Sequence, residues 1–178
     1  MLIHKSGDKD DPANYRPIAL TQTTVKLFHS IITNRMQAFT RSNNIIDTKV
    51  QKGFLNDISD CAEHSIVLQS ILRNARRTKH AMHSIWLDLR NAFGSVRHDY
   101  LRFIAAHYHL PAWFRTYINN FYYGITACIK TPTYCTKSIL LNSGVVIDML
   151  SPILFLLCIN PMLKYLSTEK KHGFKLSK

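Results

Sequence analysis

One carboxylate stands out in the sequence because of the residues around it. Asp88 lies at the end of an apolar run that includes Ile85 and Trp86, and Phe93 follows five residues later. Short apolar runs are typical of buried strands, and an aspartate in such a strand needs a partner or a metal ion to offset its lost hydration. Asp88 is therefore the leading candidate for chemistry. The alternative is structural, since an aspartate here can equally cap the turn that follows.

Other carboxylates are poorer candidates. Asp10 and Asp11 form the only adjacent carboxylate pair, a pattern that suits a two-metal site. Pro12 follows them directly, so the pair is predicted to lie in a solvated turn. Between His64 and Ile147 the only acidic residue besides Asp88 is Asp99. Any carboxylate companions of Asp88 must therefore come from elsewhere in the fold.

The composition indicates one globular domain that binds polyanions. The chain has 178 residues, 46% of them hydrophobic and 19% charged, which is enough for one packed core. Its 23 lysines and arginines exceed 11 acidic residues, giving a formal charge of +12. Nucleic acid is the expected partner, because phosphates are neutralised by such side chains. A basic protein without a nucleic-acid partner is the alternative.

The sequence favours a reducing compartment and no membrane insertion. The N-terminus lacks the apolar core of a signal peptide. The longest apolar run, residues 149–163, contains two prolines and is too short for a bilayer span, so we expect a buried helix. The four cysteines show no CxxC pairing, which favours reduced thiols and an intracellular location, in the nucleus or the cytoplasm. No zinc site is expected.

Hydrophobic periodicity predicts the elements that would position these residues. Helices are expected near residues 24–39, 61–77, 98–109, 111–123 and 151–166. Residues 15–18 should be extended because Pro17 restrains the residue before it, and residues 124–131 and 138–142 should form a hairpin. In the second helix, Ile66, Val67, Ile71 and Leu72 are predicted to face inward. That helix ends in a basic cluster, Arg73, Arg76, Arg77 and Lys79, which suits a helix C-terminus and could also face phosphates.

Four sequence blocks carry a resemblance to a known family. Residues 87–98 (LDLRNAFGSVRH) resemble the first catalytic motif of reverse transcriptases from non-LTR retrotransposons. Three further blocks occur in the family's order: residues 14–20 (NYRPIAL), 51–54 (QKGF) and 150–155 (LSPILF). From the first block to the last they span residues 14–155.

The resemblance implies an α+β fold with helices packed on a small antiparallel sheet. Residues 1–80 would be fingers-like and residues 81–178 a partial palm. The family's aromatic-Ala-Asp-Asp turn and its thumb have no counterpart before Lys178. The implied activity is RNA-templated DNA synthesis, in which a primer 3′-hydroxyl attacks a deoxynucleoside triphosphate. The implied partners are an RNA template, a DNA primer and the C-terminal palm and thumb of a parent polyprotein. Because Mg²⁺ or Mn²⁺ would bind only in a complete palm, the chain alone is expected not to polymerise.

The resemblance also assigns roles to individual residues. Asp88 would be catalytic and would bind metal together with the backbone carbonyl of Leu89. Phe93 would pack beneath the nucleotide sugar and select deoxynucleotides. Arg16 would contact the triphosphate, with Lys5 a weaker candidate that is more simply an exposed basic residue. The residues expected at the template and other nucleic acid are Gln51, Gly53, Gly144, Ser151 and Pro152.

The chain departs from the family pattern in two of the blocks. Gly94 stands where the family has an aspartate, and Asn91 stands where it has a lysine. The segment from Gly144 to Pro152 is one residue short and lacks the usual Gln-Gly pair. These departures leave two alternatives to an active polymerase. One is a nucleic-acid-binding remnant without catalysis, and the other is a functionless relic of a mobile element.

Overall fold

A computed structural model describes residues 1–58, 61–131, 133–146, 148–169 and 173–174. Within these ranges the fold is α+β, with five α-helices and two small antiparallel sheets. The elements follow the order β1 (Leu2–His4), β2 (Tyr15–Pro17), α1 (Thr23–Ser42), α2 (Ala62–Thr78), α3 (His98–His107), α4 (Ala112–Tyr122), β3 (Thr126–Ala127), β4 (Ile139–Leu140) and α5 (Ser151–Thr168). A short 3₁₀ turn, Pro12–Asn14, precedes β2.

All five helices lie where the periodicity predicts them, and their ends differ from the predicted ends by a few residues. Proline marks two of the helix starts, with Pro111 just before α4 and Pro152 in the first turn of α5. A proline is tolerated there because the first backbone N–H groups of a helix have no intrahelical partner. Pro161 lies inside α5 without ending the helix. Local sequence thus determines the helices of this chain.

The hydrophobic core is formed by helices packed on helices. α3 packs against α4 and α5, and α1 packs against α5. Several large side chains are almost fully buried: Met36, Leu101, Ile104, Leu110, Phe114, Ile118, Leu150, Ile153, Leu154 and Leu157. These residues come from four helices and from the ends of the connecting loops. One core therefore joins α1 to the helices that follow residue 98.

The expectation that the helices pack on a sheet is wrong for the described residues. β1 pairs with β2, and β3 pairs with β4. The two sheets are separate, and most of their residues are exposed. Strands of two or three residues offer too little apolar surface to support a helical layer. Burial therefore comes from the facing stripes of α1, α3, α4 and α5.

The strand expected around Asp88 is also absent from the structure. Residues 80–89 have no regular secondary structure, and Ile85, Trp86 and Leu87 are 82%, 78% and 75% exposed. A strand is stabilised by hydrogen bonds and side-chain contacts with a neighbouring strand. No strand of the described residues pairs with this segment. The apolar sequence alone is not sufficient to bury it.

Two helices leave large apolar residues exposed. In α1, Phe28 and Ile31 are 46% and 49% exposed, whereas His29 is 1% exposed. In α2, Ile66 and Val67 are 63% and 55% exposed, and Ala75 is the buried residue of the helix. The predicted inward face of α2 is therefore wrong for most of its residues, because no described element covers it. No helix in the described ranges is long and apolar enough to cross a membrane.

Candidate functional site

Three phenylalanine rings from separate parts of the chain lie side by side. We call Phe54, Phe93 and Phe155 the aromatic row. The centroid of the Phe93 ring lies 6.4 Å from that of Phe54 and 5.3 Å from that of Phe155. Phe93 and Phe155 are partly buried against the core, whereas Phe54 is 61% exposed. The row therefore offers an accessible aromatic surface in which contacts with the core hold Phe93 and Phe155 in place. A base or sugar could pack on such a surface.

The turn that carries Phe93 contacts the segment that leads into α5. The N–H of Gly144 donates to the carbonyl of Val96 at 2.7 Å, and the N–H of Val145 donates to the carbonyl of Phe93 at 2.9 Å. The His98 ring bonds through Nε2 to the carbonyl of Gly144 at 3.0 Å. These hydrogen bonds fix Phe93 relative to Gly144. Both residues were predicted to contact the nucleotide or the nucleic acid.

Glycine permits this close approach. Gly144 has φ of +96°, and a Cβ atom added to it would lie 3.3 Å from the Cα atom of Gly94. The Asn91 side chain packs against Gly94. A Cβ atom added to Gly94 would lie 2.6 Å from Oδ1 and 2.7 Å from Cγ of Asn91. The two departures from the family's first motif are therefore packed against each other. An aspartate at position 94 would require the Asn91 side chain to move.

The Gln51 block reaches the aromatic row through its last residue. The side-chain amide of Gln51 donates to the carbonyl of Gly53 at 3.0 Å, and both residues are half-buried. Phe54 follows with φ of +59°, and its ring contacts Phe93. The structure thus brings the Gln51 block, the Phe93 turn and the Gly144 segment together.

Ser151 uses its side chain within the turn that begins α5. It is 1% exposed, its hydroxyl donates to the carbonyl of Val146, and it accepts from the N–H of Asp148 at 3.1 Å. Pro152 is half-buried in the first turn of the helix. The Ser151 side chain therefore stabilises the local backbone. A nucleic-acid contact by Ser151 or Pro152 stays a prediction.

A buried polar cluster beside this turn was missed by the sequence reasoning. His29 on α1 bonds through Nδ1 to the carboxylate of Asp148, and its Nε2 lies 2.5 Å from the hydroxyl oxygen of Tyr117 on α4. The His29 and Asp148 side chains are 1% and 2% exposed. One signal was present in the sequence, since His29 lies one residue from Phe28 in an otherwise apolar stripe. Its partners are 88 and 119 residues away, so the sequence did not identify them.

Asp88 and Leu89 lie apart from these contacts. Both are exposed, Leu89 to 47%, and Asp88 has no hydrogen bond or ion pair among the residues that the structure describes. Within those residues no group of three His, Cys, Asp or Glu side chains could hold a metal ion. Two catalytic metal ions need several carboxylates. The described residues therefore do not fit a two-metal site by themselves.

Arg16 and Lys5 lie together on the N-terminal hairpin. Arg16 is opposite Ile3 in the pairing of β1 with β2, and the N–H of Lys5 donates to the carbonyl of Asn14 at 2.8 Å. Lys5 comes directly after the end of β1, so the two residues lie near each other along the hairpin. Both are exposed. No hydrogen bond, ion pair or ring contact of the described residues joins either one to the aromatic row.

Basic side chains are exposed at the end of α2 and next to the Phe93 turn. The basic cluster that ends α2, Arg73, Arg76, Arg77 and Lys79, is exposed. Next to the Phe93 turn, Arg97 holds both carboxylate oxygens of Asp99, at 3.0 and 2.7 Å. The Arg97 guanidinium lowers the pKa of Asp99 to about 2. Asp99 is therefore ionised and paired at neutral pH, and it adds no net negative charge to this surface.

Comparisons with known proteins point to one family. A family described as reverse transcriptase (RNA-dependent DNA polymerase) matches residues 3–176. The chain is 28% identical over 156 residues to the Retrovirus-related Pol polyprotein from type-1 retrotransposable element R2 of Popillia japonica, covering 86% of the chain and 21% of that protein. It is 26% identical over 170 residues to the Retrovirus-related Pol polyprotein from type-2 retrotransposable element R2DM of Drosophila melanogaster, covering 95% of the chain and 16% of that protein.

A third relative is the Probable RNA-directed DNA polymerase from transposon BS of Drosophila melanogaster, which is 30% identical over 100 residues. That match covers 56% of the chain and 11% of the relative. The chain thus spans about a fifth or less of the length of these curated relatives.

Proposed function

The chain belongs to the reverse transcriptase family, as a domain of the non-LTR retrotransposon kind, and from this premise we propose that it serves RNA-templated DNA synthesis. In the proposed reaction, the 3′-hydroxyl of a DNA primer attacks the α-phosphate of a deoxynucleoside triphosphate, and pyrophosphate leaves. The domain would act within a longer polyprotein of the kind that its relatives form.

One observation carries the proposal: three separate sequence blocks meet at the aromatic row. Phe54 follows Gln51 and Gly53, and its ring contacts Phe93. Gly144 and Val145 are hydrogen-bonded to the Phe93 turn. Residues 54, 93 and 144 are distant in sequence, so their meeting reflects the fold. We assign this surface to the nucleotide and the template.

Phe93 would exclude ribonucleotides by its position. Its ring is held between Phe54 and Phe155, and its backbone is tied to Val145. A ring that packs against the core and Phe155 cannot easily move away from a sugar that packs against it. A 2′-hydroxyl on that sugar would therefore meet a fixed steric barrier. Gly53 and Gly144, which lack side chains, would allow close approach of the template and the nucleotide.

The charged residues would act outside the aromatic row. Arg16, with Lys5 beside it, would contact the triphosphate, and the basic cluster that ends α2 would face a phosphate backbone. Asp88 and the carbonyl of Leu89 are our proposed ligands for Mg²⁺ or Mn²⁺. They would complete a site only with the carboxylates of a whole palm. We therefore expect the 178-residue chain alone not to extend a primer.

The proposal also includes the division into fingers-like residues 1–80 and partial-palm residues 81–178. An RNA template, a DNA primer and a nuclear or cytoplasmic location belong to it as well.

A second candidate function is nucleic-acid binding without catalysis. The exposed basic cluster of α2 favours it, because such a cluster binds phosphates whether or not Asp88 has a role. A relic without function is the third candidate.

Primer extension tests the proposed reaction. A polyprotein that contains this chain should incorporate dNTPs on an RNA template, and Asp88→Ala should lower the rate at least about 100-fold, because the substitution removes a metal ligand. Asp10→Ala is the matched control, since Asp10 is another exposed carboxylate and lies in a turn. It should retain the wild-type rate.

The outcome separates the candidate functions. Extension that survives Asp88→Ala would exclude the proposed role of Asp88. A polyprotein that binds template and primer in a salt-dependent manner but incorporates no nucleotide would favour binding without catalysis. A polyprotein with neither property would favour the relic.

A further inference from the structure

The turn that begins α5 is held from one side by α1. We call Asp148, Met149 and Leu150 the entry turn, and His29 and Thr33 the α1 clamp. His29 Nδ1 bonds to the Asp148 carboxylate, and the Thr33 hydroxyl donates to the carbonyl of Met149 at 2.9 Å. Residues four apart on a helix share a face. The two residues of the clamp, one helical turn apart on α1, are therefore hydrogen-bonded to the consecutive residues Asp148 and Met149 of the entry turn.

The Asp148 carboxylate has a defined use for each oxygen. Oδ2 accepts from His29, and Oδ1 accepts from the N–H of Leu150 at 2.9 Å. The backbone N–H of Asp148 donates in turn to the Ser151 hydroxyl. We assign the shared proton to Nδ1, the tautomer in which the carboxylate accepts from the ring. The protonated Nδ1 thus fixes the carboxylate that shapes the start of α5.

The far side of His29 is restrained as well. Its Nε2 lies 2.5 Å from the Tyr117 hydroxyl oxygen, and its ring centroid lies 5.1 Å from that of Phe121. Tyr117 and Phe121 both belong to α4. His29 is therefore held between α4 and the entry turn, and it has little freedom to rotate away from Asp148.

From these contacts we infer that His29 is a positioning residue. It holds the entry turn, and the Ser151 hydroxyl, which bonds to both the N–H of Asp148 and the carbonyl of Val146, links that turn to the residues that follow Gly144. This inference rests on the proposed function, because Gly144 and the Phe93 turn belong to the proposed nucleotide and template surface. His29 is buried and touches no nucleic acid itself. Its effect on binding must pass through Asp148.

The test compares variants by two measurements on the chain, hydrogen exchange and affinity for an RNA·DNA primer–template. His29→Leu removes the donor and leaves the Asp148 carboxylate buried without its partner. We expect exchange at the amides of Gly144 and Leu150 to rise at least about tenfold and affinity to fall about fivefold or more. His29→Asn places its amide nitrogen close to the position of Nδ1, so it can donate to Asp148 and should recover most of both properties.

Two further variants make the test specific. Thr33→Val removes one hydrogen bond and keeps the shape of the side chain, so it should change both properties in the same direction by about two- to fivefold. Asn160→Leu is the matched control, because Asn160 is a 2% exposed polar residue on α5 that bonds to the carbonyl of Ile45 and the hydroxyl of Tyr108. It should leave exchange at Gly144 and Leu150 unchanged.

A spectroscopic signature tests the assignment of the proton. The Nδ1 proton of His29 should give a downfield ¹H resonance that exchanges slowly and is lost in His29→Asn. Exchange that rises equally across α3, α4 and α5 in His29→Leu would show general destabilisation and overturn the inference. So would a loosened entry turn with unchanged affinity. A parent polyprotein that binds no primer–template would instead overturn the proposed function, whereas exchange in the chain would still report whether the clamp holds the turn.

Discussion

Replacing Gly144 with alanine should disrupt the contact between the Phe93 turn and the segment that leads to α5. Gly144 has φ of +96°, and an added Cβ would lie 3.3 Å from the Cα atom and 3.4 Å from the carbonyl oxygen of Gly94. Both neighbouring atoms belong to the backbone, so they cannot move without distorting the turn. The substitution therefore combines an unfavourable backbone angle with a steric clash.

The magnitude follows from these two terms. A positive φ costs an L-residue about 1–2 kcal/mol, and overpacking against fixed atoms costs about 1–3 kcal/mol. The lower conformational entropy of the unfolded alanine variant returns about 0.4–1 kcal/mol. Gly144→Ala should therefore lower the free energy of unfolding by about 1–4.5 kcal/mol.

Gly124 provides the matched control. Its φ is +63°, but an added Cβ would meet nothing within 4 Å. Gly124→Ala should thus lose only the backbone term, about 0–1.5 kcal/mol after the entropy gain. Urea denaturation measures the free energy of unfolding of both variants, which can be compared when their m-values equal that of the wild type. If the two free energies of unfolding agreed within about 0.5 kcal/mol, Gly144 and Gly94 would not be in close backbone contact.

Two further predictions concern Cys158 and Asp99, whose pKa values are shifted by the fold. Burial raises the pKa of the Cys158 thiol to about 12, so a thiol reagent at pH 8 should modify the exposed Cys61, Cys128 and Cys135 quickly and Cys158 only on unfolding. Because the Cys158 thiol ionises at lower pH in the unfolded chain than in the folded chain, its contribution to stability should fall as pH rises above about 9. Rapid modification of all four thiols of the folded chain would contradict the burial of Cys158. Arg97 lowers the pKa of Asp99 to about 2, so the ion pair should stabilise the fold above about pH 4 and cease to do so as pH falls through about 2. An NMR titration should show this value, and Arg97→Ala should raise it towards the ordinary range; an unchanged titration would exclude the pair.

The helices could be predicted from the sequence because their signals are local. An apolar stripe with helical period and a proline at the first turn specify α4 and α5 without reference to other elements. Which face is buried depends on what covers it. In α1 the buried stripe includes His29 and Thr40, because Asp148 and the Gln37 carbonyl supply hydrogen-bond partners. Apolar periodicity does not report such partners.

The strand around Asp88 could not be judged from the sequence for a related reason. The run from Ile85 to Leu89 has the composition of a strand, but a strand also requires a neighbour to accept its hydrogen bonds. The candidate site shows what the sequence could and could not predict. Phe93 and Gly144 were identified by resemblance and lie together in the structure, whereas the buried link from His29 to Asp148 spans 119 residues. Only the fold reveals a contact of that length.

The central claim is that the aromatic row forms the nucleotide and template surface. Photocrosslinking tests it most directly, with an RNA·DNA primer–template that carries 5-iodo-2′-deoxyuridine at the primer 3′ end and mass spectrometry to locate the crosslinked residues. The claim predicts crosslinks at Phe54 or Phe93 that are lost when these residues are replaced with alanine. Crosslinks confined to the basic cluster at the end of α2, with none at the aromatic row, would contradict it.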